Sequence, residues 1–105
     1  MVIPGQVFHI SRRQNVQKIR KSGLIPGAPE EGDVSGVYFF TSMEDAEDAL
    51  ANWLGERFDE DEELVVLVVD ATQLDPSRWE QDVGYELRYL DAVPPSAIVS
   101  IRPIS

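Results

Sequence analysis

Six consecutive apolar residues, Leu64-Val65-Val66-Leu67-Val68-Val69, constrain this chain more than any other stretch. An unbroken run of that kind predicts a strand covered on both faces. The 105 residues are expected to form one domain, residues 1–105, with a single core that buries about two thirds of the unfolded surface. A cleft fits into such a domain; a second domain does not.

The flanking patterns supply the remaining elements. Gln6 to Ile10 reads as a first strand that delivers His9 near its end, and Ser11 with Gln14 forms a capping box that starts a helix running to about Ser22. Gly23 supplies the left-handed stop, after which Leu24 and Ile25 re-enter the core. Residues 26–35 hold two prolines, two glycines and three acids, an exposed loop and a candidate lid. Gly36 to Phe40 is a second strand. Thr41 and Ser42 offer N-caps, Glu44 completes a box with Thr41, and Ala46, Ala49, Leu50, Trp53 and Leu54 mark an amphipathic helix ending near Gly55 or Phe58. Asp70 to Asp82 reads as a loop with one helical turn carrying Trp79. Strands over Gly84 to Leu90 and Ala97 to Arg102 complete an α+β domain, a small curved mixed or antiparallel sheet with two helices against it.

Charge and composition narrow the chemistry. The net charge is -10, yet Arg12, Arg13, Lys18, Arg20 and Lys21 are five of the nine basic residues, while Glu44 to Glu63 holds ten acids against Arg57 alone. An acidic body opposes sequence-blind binding of nucleic acid, although a local anion site beside the basic helix fits the pattern. There is no cysteine and one histidine, so disulfides, thiolate chemistry and multi-imidazole metal sites are excluded. The acidic run Asp59 to Glu63 reads as a solvated loop, because hard cations need converging carboxylates and carbonyls. No apolar run approaches the roughly 18 residues of a membrane span, and a signal peptide is not evident; a soluble, cytoplasmic protein is expected.

The stretch Gly84-Tyr85-Glu86-Leu87-Arg88-Tyr89-Leu90 alternates so that Glu86, Arg88 and Leu90 share one strand face. That face is not a plain core face. Glu86 is placed for chemistry if the face lines a cleft, or is a solvated partner of an arginine if it does not. His9 and Tyr38 are the other polar residues on strands with room to converge, and each also has a plain reading: a histidine satisfied by the backbone, and a core tyrosine with its hydroxyl at the surface.

Taken together, these residues form a pattern. His9-Ile10-Ser11, Asn15, Ile19, Gly23-Leu24, Pro26 and Gly36-Val37-Tyr38-Phe39, followed by Glu86 and Pro94-Pro95, resemble the motifs of the ADP-ribosyltransferase fold in its poly-ADP-ribose polymerase-like, His-Tyr-Glu branch. The resemblance covers about His9 to Ile98. It implies an NAD-consuming transferase in which His9 hydrogen-bonds a ribose and Tyr38 packs on the nicotinamide. Glu86 would then hold the nicotinamide ribose and stabilise positive charge as nicotinamide leaves, with Ser11 and Trp53 completing the NAD site. The chain departs from the family at Ile10, where a glycine is usual, and at Ala46 and Ala49, where a serine and a second aromatic stand. RNA 2′-phosphotransferases, a related branch, hold phosphates with further arginines and histidines, for which only Arg12, Arg13 and Arg88 are available here.

Three readings follow: a compact transferase of toxin or phage type acting on an undetermined protein or nucleic-acid acceptor; a module of the same fold that binds a nucleotide or protein without catalysis; and an acidic inhibitor-like domain that recognises a basic partner. Oligomeric state is not encoded in any of these patterns.

Overall fold

A computed structural model describes residues 3–26, 37–52, 63–83 and 86–104. The apolar run forms β3, Leu64–Asp70. Val65 to Val69 are each at most 5% exposed, as expected for a strand covered on both faces. Around it lie β1 (Gln6–Arg12), α1 (Val16–Ser22), β2 (Val37–Phe40), α2 (Met43–Asn52), β4 (Trp79–Val83), β5 (Glu86–Tyr89) and β6 (Ile98–Pro103), with short 3₁₀ turns between. The strands make one six-stranded sheet in the order β4-β5-β2-β1-β3-β6, every described pairing being antiparallel. The protein is thus an α+β domain.

Each helix serves one face. Ile19 of α1 joins Val7, Phe39, Leu67, Trp79, Leu87 and Tyr89 in the larger core. Ala46 and Ala49 of α2 pack with Ile10 and Phe40 on the other face, with Phe8 and Leu50 against them. Directly opposed residues of antiparallel strands share a face, so the registers sort the side chains without ambiguity. Phe8, Phe40 and Glu86 fall on the α2 face through the pairs Phe8↔Phe40 and Phe40↔Glu86, and Val7, His9 and Leu67 fall on the α1 face through Val7↔Val69 and His9↔Leu67.

Several expectations are corrected. Ser11 does not cap a helix: β1 runs on to Arg12, with Ser11 opposite Val65 and Arg12 opposite Leu64. Seven registered pairs with β3 outweigh one local cap, and a 3₁₀ turn at Arg13–Asn15 precedes α1. Ile25 is 62% exposed, whereas Leu24 is buried and bridges Val93. The second cap is Ser42 rather than Thr41: its Oγ accepts the Asp45 N–H at 3.1 Å, while Thr41 Oγ1 donates to the Asp45 carboxylate. Trp79 lies not on a helical turn but at the start of β4, its ring 5.5 Å from Phe39 and 4.9 Å from Tyr89. Trp53, all but Pro26 of the expected loop and lid over residues 26–35, residues 53–62 with most of the acidic run, and Gly84-Tyr85 lie outside the described residues. Among the described residues, no helix is long and apolar enough to cross a membrane.

Candidate functional site

The sheet is unevenly joined. β1 and β3 run in register over seven pairs, but among the described residues β1 and β2 share only Phe8↔Phe40. No further rung is registered between these two strands among the described residues, and this weakly joined stretch is the seam of the sheet. Across it reaches the imidazole of His9, whose Nδ1 lies 2.7 Å from the backbone carbonyl oxygen of Tyr38. A carbonyl only accepts, so Nδ1 carries the hydrogen; in the neutral ring Nε2 is therefore an acceptor. The ring also lies 5.6 Å from Phe39, and desolvation lowers its pKa below the usual 6.5, with the bond to Tyr38 opposing in part.

Tyr38 and Glu86 share the α2 face on adjacent strands. Tyr38 opposes Arg88 and Phe40 opposes Glu86, so the two lie one rung apart, about 7 Å along the strand. Glu86 is 9% exposed and Tyr38 is 38% exposed. A buried carboxylate beside an accessible aromatic ring is the arrangement that the solvated reading of Glu86 did not anticipate. Arg88, on the same face, forms an ion pair with Glu80 across β4 and β5 and lies 3.4 Å from the Tyr38 hydroxyl.

No protein-family model matches this chain, and no curated protein is significantly similar to it.

Of the residues expected in the site, the structure brings Tyr38 and Glu86 onto one face and joins His9 to the Tyr38 main chain from the other. Ser11 shares the face of His9, two residues along β1, and does not reach this pair by register. Ile10, where a glycine was the family pattern, is 7% exposed and packs under α2 with Phe40, Ala46 and Ala49. Its bulk thus has a structural use in the core under α2. Ala46 and Ala49 are equally buried and present no polar group. Glu80 was missed by sequence reasoning. Its strand holds a single buried apolar residue, Trp79, among the side chains described there, and the alternation Trp79, Gln81, Val83 around polar neighbours is the weak signal that marks it. Among the described residues, no three His, Asp or Glu side chains cluster as metal ligands would.

Proposed function

We propose that this protein is a compact NAD-consuming ADP-ribosyltransferase whose site lies on the α2 face at the seam between β1 and β2. The observation that carries the reading is the buried Glu86 carboxylate one rung from the accessible ring of Tyr38. Removing nicotinamide from its ribose develops positive charge on the sugar. A fixed carboxylate aimed at that charge favours the transition state over the ground state, and a partly desolvated setting strengthens the effect. Tyr38 offers a flat surface for the nicotinamide ring. His9 lies on the opposite face, so its part is to hold the Tyr38 main chain through its Nδ1–H and thereby fix the strand that carries Tyr38. Glu86 then orients the ribose and stabilises the departing charge, while the acceptor of ADP-ribose, a protein or nucleic acid, approaches from solvent.

The decisive experiment compares nicotinamide release from NAD by the wild-type protein and by Glu86→Gln, an isosteric change that keeps the hydrogen-bonding shape. Release should fall by about a hundredfold or more, with an unchanged circular dichroism spectrum. A variant as active as the wild type would remove Glu86 from its role.

One observation favours a second reading, a nucleotide- or protein-binding module without catalysis. Ile10, Ala46 and Ala49 fill the space beneath α2 with hydrocarbon where a transferase of this type has a gripping backbone and polar walls. Under that reading, titration with NAD shifts amides of β1, β2 and β5 with no free nicotinamide formed. Silence at millimolar NAD would place any affinity weaker than about -4 kcal/mol and discard both readings.

A further inference from the structure

Deepening the reading above and resting on it, we infer that Arg88 is the residue that positions Tyr38 for stacking, and that Glu80 on the edge strand β4 holds Arg88 in place. Glu80, Arg88 and Tyr38 stand directly opposite one another on three successive strands, through the registers Glu80↔Arg88 and Tyr38↔Arg88. They form one rung on the α2 face. Glu80 pairs with one guanidinium nitrogen of Arg88, the other terminal nitrogen reaches the Tyr38 hydroxyl at 3.4 Å, and the guanidinium carbon lies 5.9 Å from the centre of the Tyr38 ring. The planar guanidinium therefore reaches the Tyr38 hydroxyl and lies within cation–π range of its ring, which restricts rotation of a side chain that is otherwise 38% exposed. A ring so held presents its uncovered surface to a flat ligand without first losing rotamer freedom.

Two features separate this rung from an ordinary stabilising ion pair. The Arg88 side chain is only 16% exposed, and its buried Nε has no hydrogen-bond partner among the described residues. A pair serving stability alone gains little from being desolvated, and an apolar residue of similar length is commonly as good or better in such a place. What an apolar residue cannot supply is the double hold on Tyr38.

The test uses the full chain with carbon-13-labelled tyrosine, the variants Arg88→Met, Arg88→Lys and Tyr38→Leu, and nicotinamide and NAD as probes. In Arg88→Met, the Tyr38 ring resonances should move and sharpen. The Kd for nicotinamide and the KM for NAD should rise about fivefold while kcat stays within about twofold. Arg88→Lys should recover only part of the loss, because an ammonium lacks the fork. Added to Tyr38→Leu, Arg88→Met should cost nothing more, since the partner through which it acts is gone. Unchanged Tyr38 resonances in a folded Arg88→Met, or a fivefold loss that persists in the Tyr38→Leu background, would overturn the inference. A wild-type protein that neither binds nicotinamide nor releases it overturns the transferase reading instead, and the ring resonances still decide whether Arg88 positions Tyr38.

Discussion

One hydrogen bond sets what His9 can do. Its Nδ1–H is given to the Tyr38 carbonyl, which fixes the tautomer and leaves Nε2 as the acceptor of the neutral ring. Desolvation holds the folded pKa below 6.5, so in acid the unfolded chain takes up a proton that the folded chain resists. The contribution to stability is therefore full above pH 6.5 and declines as pH falls from there toward the lowered folded value. Asp70 and Asp75 behave similarly in a lower window. Hydrogen bonds from Thr72 and Gln73 depress the first and those from Ser77 the second, so their contribution is lost only below the ordinary value of 3.8. Thermal melts across pH should thus show one decline beginning near 6.5 and another below 3.8, and His9→Gln should abolish the first alone. A first decline that survives in His9→Gln would assign it to another group. The presence of His9, Tyr38 and Glu86 on strands was legible in the sequence, but their faces were not. Alternation within a strand fixes parity only relative to itself, and the pair Phe8↔Phe40 is what sets His9 on the side away from Tyr38 and Glu86.

Among the elements, the clearest stop is Gly23. Its φ of 77° with ψ of -167° is not the αL pair of the expected stop but an extended positive-φ conformation essentially confined to glycine, and a Cβ there would lie 1.9 Å from the Val93 carbonyl oxygen. That same carbonyl accepts from Leu24, so it has little room to yield. Gly23→Ala combines backbone strain with a main-chain clash and should cost at least about 3 kcal/mol in denaturant unfolding. Ser42→Ala removes the cap on Asp45 and should cost about 1 kcal/mol; a loss seen instead in Thr41→Ala alone would reverse the cap assignment. β3 and α2 were readable because apolar spacing was strong in both. β4 was not, because a two-sided polar edge strand carries little periodic signal. The start of α1 was misplaced for a different reason: the box formed by Ser11 and Gln14 is a local preference, and pairing of Ser11 and Arg12 with β3 overrides it.

At the scale of the whole molecule, the seam divides the sheet into β4-β5-β2 and β1-β3-β6, held together at Phe8↔Phe40, by the His9 clasp and by α2 packed over Phe8, Ile10 and Phe40. Native-state hydrogen exchange should accordingly show Val65 to Val69 of β3 exchanging last and the amides of β2 that face β1 exchanging early. Equal protection on both sides would mean that the seam is as firm as the rest. The two halves of the sheet are not two halves of the chain. The polypeptide passes from one to the other between β1 and β2, β2 and β3, β3 and β4, and β5 and β6. Neither half can thus be made as a separate fragment by cutting the chain once, and during synthesis β4-β5-β2 cannot finish before β5 has emerged, nor β1-β3-β6 before β6. Folding must wait for pairings between distant parts of the chain, which favours slow, all-or-none assembly over stepwise growth.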